Sequence, residues 1–461
     1  MSSATQAHLE ALLTTEAAAR AVKTKGLPSV WTLGALGPGI VYLLAVVGPQ
    51  DLVSNSVIGA SYGYAALWTL PLILAVKFAI LESSARYVLA TGENLMAGYG
   101  RVGRWLVWLI LASLLLKRHL MNLVQLLLLG NFAHLVLPLP TRYSATIWAL
   151  VLWSLGFALM YWGKYRAVEK ISKPLVVLLG GSLLLVALLA RPDPAAVMRG
   201  FFIPSIPSDS GAYTFVFLLM ALAGSSAGSV GNLKYAAFVH EKGWRDPSKL
   251  RKQRLDLAVS VCGLLFMAAL IQVAAAAVLR PRGVQVIEVG HLVPLFSTAL
   301  GSAGRVILGL GVWAALFNTY VGANTGYSLI VSEIYHRFVR PPTDADAKRP
   351  SAATQSQRPA YRWCLLWFCL SPLYVLLTNW KPIWLVLGTT AMFVVLLPVI
   401  ILALLRLTND KKLMGRYVNG WAINAILIVG VLAALFLTGQ NAAEFWKTDL
   451  APRLFSIVLP S

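Results

Sequence analysis

Apolar runs of about 20 or more residues recur in this chain from residue 32 to residue 438, and no other feature limits its fold so severely. A run of that length, helical at a rise of about 1.5 Å per residue, spans the ~30 Å hydrocarbon core of a bilayer. Backbone N–H and C=O groups in lipid must find partners within the chain, so the runs are helices rather than open strands. The short alternating segments of a β-barrel do not occur. The pattern predicts an all-α polytopic membrane protein with about eleven spans. They fall near 32–57, 64–90, 104–136, 143–162, 171–190, 211–239, 255–280, 304–335, 362–378, 382–406 and 416–438. By length alone 461 residues would allow about three soluble domains. A composition of 58% hydrophobic and 12% charged residues favours one membrane bundle instead, since soluble domains carry about 25% charged residues.

The formal net charge of +21 raises nucleic acid as a partner, but its distribution argues otherwise. Lys and Arg concentrate in segments 1–31, 91–104, 163–173, 240–254, 336–362 and 406–416 and are sparse in the segments between them. This is the positive-inside pattern. It places the N-terminus in the cytoplasm and, with an odd number of spans, the C-terminus outside, in the inner membrane of a bacterium. The lipid bilayer accounts for the basicity as a partner, anionic headgroups included, and nucleic acid is not needed. Cys262, Cys364 and Cys369 lie in apolar runs without metal-type spacing and read as small core residues. Residues 1–27 lack the apolar core and cleavage site of a signal peptide, and 341–358 reads as a flexible linker. There is no Walker loop, zinc-protease helix or nucleophile elbow in a plausible context. The expectation is a protein that is not an enzyme, needs no cofactor, and would draw any pumping from ion gradients.

Two spans carry helix breakers. The first contains Gly48-Pro49-Gln50-Asp51. The sixth contains Gly224-Ser225-Ser226-Ala227-Gly228-Ser229-Val230-Gly231-Asn232. Breaks at matching positions five helices apart are the sequence signature of an inverted-repeat transporter with a site at the midplane. Unwound backbone there offers carbonyls to cations and helix N-termini to anions. The plainer alternative is that these glycines only permit close helix packing.

The stretch Gly48 to Asn55, with Gly59-Ala60-Ser61-Tyr62-Gly63-Tyr64, Leu67-Trp68 and Ala90-Thr91-Gly92-Glu93-Asn94-Leu95, resembles the first two helices of the Nramp divalent-metal transporters. The resemblance implies a LeuT-like fold of two inverted five-helix repeats plus one helix, and metal-ion uptake, commonly with protons. The implied organisation is a cytoplasmic tail (1–31), a first repeat (32–190), a second repeat (191–406), an eleventh helix (407–438) and a C-terminal tail (439–461). The sequence departs from the family where the chemistry sits. The family's Asp-Pro-Gly-Asn is matched by Gly48, Pro49, Gln50 and Asp51, so the carboxylate has moved to the last position. The family's Met-Pro-His is matched by Ser229-Val230-Gly231, and a Gln on the tenth helix maps near Thr390. The third helix carries Lys117-Arg118-His119 in place of acidic residues.

These matches nominate Asp51 as a metal ligand, helped by Gly48, Gln50, Ala227, Gly228, Ser229, Asn232 and Thr390. Oxygen-only ligation suits Mg²⁺ or Mn²⁺. Asp51 is equally suited to cap a half-helix. Lys117 and Arg118 lie at membrane depth, where each costs about 2.5–3.5 kcal/mol on the insertion scale. They are therefore expected inside the bundle, in an ion-pair network with Asp51, Glu82 or Glu333, or alternatively as an anion site or built-in cation. Lys234 would repel a metal and is expected to point toward the cytoplasm. His119 is expected neutral and satisfied, and Asn318 and Asn324 serve as interhelical glue. A divalent-cation transporter leads this reading. A transporter of an organic anion or amino acid, and a non-transporting membrane protein on the same scaffold, are the alternatives.

Overall fold

The computed structural model describes residues 49–162, 180–181, 183–209, 212–228, 230–241, 243–244, 246–340, 359–378 and 382–447. Gly48, Ser229, the tail 1–31 and the linker 341–358 lie outside them. The helices that matter for the site are α1 (Pro49–Tyr62), α2 (Thr69–Thr91), α3 (Leu95–Val102), α4 (Arg104–Val136), α5 (Ser144–Tyr161), α6 (Pro194–Phe202), α7 (Phe215–Ser226), α8 (Leu233–Glu241), α9 (Leu250–Val278), α10 (Val293–Ile334), α11 (Pro359–Leu370), α12 (Pro382–Met392), α13 (Leu397–Thr408) and α14 (Trp421–Lys447). Among the described residues, seven segments are long and apolar enough to cross a bilayer.

Helix ends follow local chemistry. Asn94 caps α3 by accepting from the Met96 N–H, Asp193 caps α6 before Pro194, and Thr214 caps α7 by accepting from Phe217. The long helix α10 changes course at Gly301, whose φ of 56° is not helical.

The bundle is organised around α1, α4 and α7. Helix α1 packs on α7, α9 and α12, α4 packs on α5, α10 and α12, and α8 packs on α2 and α10. Close approach depends on small residues, because between membrane helices packing rather than water exclusion supplies the attraction. At Gly224 a Cβ would lie 2.0 Å from the Thr390 carbonyl oxygen, so α7 and α12 meet backbone to backbone. Leucines, tryptophans and phenylalanines such as Trp105, Leu116, Leu155, Leu432 and Phe436 remain exposed on the periphery, where lipid is the solvent.

Candidate substrate site

Helix α7 ends at Ser226. The chain turns at Gly228 with φ +71°, re-forms as a 3₁₀ turn at Val230–Asn232, and continues as α8. The turn needs a residue that tolerates positive φ, which glycine does without a Cβ penalty. Ending a helix leaves carbonyls without i+4 donors, and here side chains supply them. Lys77 Nζ donates to the Ser226 carbonyl at 2.6 Å, and Asn232 Nδ2 donates to the Ala227 carbonyl at 2.7 Å. The first turn of α1 lies against this break, and the Ser226 hydroxyl donates to the Asp51 carboxylate at 3.1 Å. The first turn of α1 and the break between α7 and α8 thus meet through one hydroxyl and one carboxylate, while residues 32–48, on the N-terminal side of the interruption expected in the first span, lie outside the described residues.

Beside the break is a cavity of about 40 Å³, measured as space for the centres of water-sized molecules. That is room for about three waters. Gln50 of α1, Lys77 of α2, Lys117, Arg118 and Met121 of α4, and Lys234 of α8 line it, with Ser225, Gly228, Gly231, Asn232, Thr319, Ala323 and Tyr327. Four of these residues are cations and none is acidic. Asp51 instead opens on a smaller neighbouring pocket that it shares with Lys77, Ser226 and apolar residues of α9.

The four cations are held differently. Arg118, 1% exposed, lies in a cradle of amides: Nε donates to Asn324 Oδ1 at 2.7 Å, and Nη2 contacts the side-chain oxygens of Asn122 and Gln125. Asn122 also donates to Asn324 and to the Phe368 carbonyl. Lys117 lies over the Phe393 ring at 5.4 Å and Lys234 over the Tyr327 ring at 4.9 Å, both cation–π geometries. Lys77 is committed to the Ser226 carbonyl.

Of the residues nominated from sequence, Gln50, Gly228, Asn232, Lys117, Arg118 and Lys234 meet at this cavity, and Gln50 donates to the Met121 sulfur at 2.9 Å. The Ala227 carbonyl is occupied by Asn232. Thr390 turns its hydroxyl back into its own helix, donating to the Val386 and Leu387 carbonyls at 2.8 and 3.0 Å. Gly48 and Ser229 lie outside the described residues.

Three expectations need correction. Glu82 does not join Lys117 and Arg118: it pairs with Arg86 one turn away and with Arg254 Nε at 2.8 Å, because arginines lie nearer on α2 and α9. Arg118 is hydrogen-bonded to neutral amide oxygens rather than paired with the acids expected for it, and so keeps its charge. Lys234 lines the cavity instead of reaching for the cytoplasm. His119 is satisfied as expected, by the Ser371 and Tyr374 hydroxyls at 2.9 and 3.3 Å, and Asn324 joins α4 to α10.

Sequence reasoning missed Lys77, Asn122 and Gln125. A signal for the two amides was available, since they stand four and seven residues after Arg118 and so share its helix face. No group of three or more His, Cys, Asp or Glu suited to a metal occurs among the described residues.

The chain can be placed among known proteins. A divalent metal cation transporter MntH from Yersinia enterocolitica is 26% identical over 435 residues, covering 89% of this chain and 94% of the relative. An MntH from Chromohalobacter salexigens is 28% identical over 198 residues, and that match spans about half of the relative, 46%. Among solved structures, a mutant of the Eremococcus coleocola manganese transporter superposes with a TM-score of 0.68 at 16% identity, over 90% of this chain and 88% of that one. A nucleobase-cation-symport-1 family transporter superposes with a TM-score of 0.54 at 13% identity, over 87% and 90%. These likenesses give the LeuT-like fold. The family model described as Natural resistance-associated macrophage protein-like matches residues 39–444, and the chain therefore belongs to the Nramp family.

Proposed function

We propose that this Nramp-family chain is a secondary transporter that moves an anion by alternating access, with its substrate held in the cavity beside the break between α7 and α8. The repeats 32–190 and 191–406 would rock about that site in a bacterial inner membrane, N-terminus inside and C-terminus outside. The observation that carries the anion is the cavity wall: Lys77, Lys117, Arg118 and Lys234 line one space with no carboxylate among the lining residues. A divalent cation about 5 Å from one ammonium meets roughly 7 kcal/mol of repulsion at an effective dielectric constant near 20. An anion experiences the same field as attraction, and a water-poor cavity strengthens it.

A second reading is favoured by a separate observation. The relatives are named for divalent metal and manganese, and Asp51 lies buried at the first turn of α1 against the break. On that reading Mn²⁺ or Mg²⁺ is the cargo and Asp51 a ligand. It requires the Lys77 ammonium, which lines the same small pocket as Asp51, to move aside.

Flux into proteoliposomes decides between them. Under an imposed ion gradient the anion reading predicts uptake of a labelled small anion and no uptake of ⁵⁴Mn²⁺, with Asp51→Ala retaining flux. Manganese uptake that Asp51→Ala abolishes would establish the metal reading instead.

A further inference from the structure

The four cations do not offer equal binding capacity, and the difference narrows the substrate. Arg118 has Nε and Nη2 engaged by Asn324, Asn122 and Gln125, so its charge is fixed in place and only its Nη1 group is left for contacts. Lys77 is engaged by the Ser226 carbonyl and shares the adjacent pocket with Asp51, whose charge opposes its own. Lys234 differs from both. It is 5% exposed and lies over the Tyr327 ring, and among the described residues it has no hydrogen-bond or ion-pair partner. A ring face leaves ammonium N–H donors unused. A buried ammonium lacking an acceptor is costly, so the position fits a ligand that brings one.

The backbone adds to this. Gly228 and Gly231 line the cavity where the 3₁₀ turn and α8 begin, so the positive end of a half-helix is presented together with the Lys234 side chain. No carboxylate lines the cavity beside Lys117, Arg118 and Lys234, a concentration of positive charge that favours a dianion over a monoanion. The volume, about three waters, admits a compact oxyanion and excludes sugars and aromatic acids.

From these observations, and resting on the anion reading above, we infer that the cavity binds a small dianionic oxyanion, with the Lys234 ammonium as its principal contact and Lys117 and Arg118 beside it in the wall supplying further positive charge. The dianion is inorganic, of sulfate or phosphate size, or a short dicarboxylate.

Equilibrium binding of ³⁵S-sulfate to the purified full-length chain tests this, with unlabelled phosphate, malonate, chloride, acetate and Mn²⁺ as competitors. Saturable binding is expected, competed by phosphate or malonate at least tenfold more effectively than by chloride or acetate. The stronger of the first two identifies the source as inorganic or dicarboxylate. Lys234→Met and, separately, Lys117→Met should each weaken binding at least tenfold, while Lys234→Arg retains it. Size-exclusion profiles establish which variants fold, and Lys234→Gln replaces a variant that does not. Equal competition by chloride or acetate would overturn the dianion while leaving an anion site. Failure of every anion to bind, with Mn²⁺ binding directly in calorimetry, would overturn both. Sulfate binding unchanged in folded Lys117 and Lys234 variants would overturn the assignment of the contacts.

Discussion

The Ser226 hydroxyl donates to the Asp51 carboxylate at 3.1 Å while the Ser226 carbonyl receives Lys77. One residue at the end of α7 therefore links a carboxylate on α1 to an ammonium on α2. On the anion reading Asp51 is a structural counter-charge, and Asp51→Asn should leave sulfate affinity within about threefold. The same change should lower unfolding stability by about 3 kcal/mol, because it leaves the Lys77 charge buried with less compensation. Thermal unfolding and binding on the same sample read both effects. Loss of binding in a folded Asp51→Asn protein would make the carboxylate part of the site.

Glu82 is 1% exposed and holds Arg86 and Arg254, while Arg86 Nη1 reaches the Val418 carbonyl at 3.1 Å. This cluster ties α2 to the start of α9 and to the chain ahead of α14. Removing one member of a buried ion pair costs about 3–5 kcal/mol. Glu82→Gln should therefore destabilise by that amount, and Glu82→Gln combined with Arg86→Met by less than the sum of the two single changes. Strict additivity in a double-mutant cycle would rule out the coupling.

Arg118 makes planar contacts to three amide side chains. Lysine keeps the charge but cannot reproduce that fork. Arg118→Lys should leave Asn122, Gln125 or Asn324 without donors, at about 1–3 kcal/mol, and should lower the thermal midpoint. A midpoint equal to wild type would mean that the cradle is not formed in the folded protein.

The α7–α12 contact at Gly224 has no room for a methyl group, since a Cβ there would lie 2.0 Å from the Thr390 carbonyl oxygen. Gly224→Ala should sharply reduce the yield of folded protein. Gly388→Ala, whose Cβ would meet nothing nearer than Trp384 at 3.6 Å, should behave as wild type. Gly228→Ala, at φ +71°, should cost about 1–2 kcal/mol from backbone strain. Detergent-solubilised fluorescence size-exclusion ranks the three, and equal yields for Gly224→Ala and Gly388→Ala would contradict the packing.

How much of this was legible in the sequence varies with the range of the interaction involved. The break between α7 and α8 could be read from Gly224 to Asn232 because helix interruption depends on local backbone preference. The third and fourth helices, expected at 104–136 and 143–162, are observed at Arg104–Val136 and Ser144–Tyr161, since apolar length fixes a span without reference to its neighbours. Glu82 was assigned the wrong partners because its choice among cations depended on where α9 brings Arg254, 172 residues away.

The amino-acid order alone settled that this is a helical membrane bundle interrupted near residue 228, and its motifs near residues 48–95 pointed to the family. Apolar length, glycine placement and short motifs act over one or two helical turns. Only the tertiary structure decided that Lys77, Lys117, Arg118 and Lys234 share one cavity and that Asp51 faces another. Those side chains come from three helices, and Arg118 finds its amide partner Asn324 across 206 residues. The sign of the field at the site is a sum over groups that only folding brings together, and the choice of substrate follows that sum.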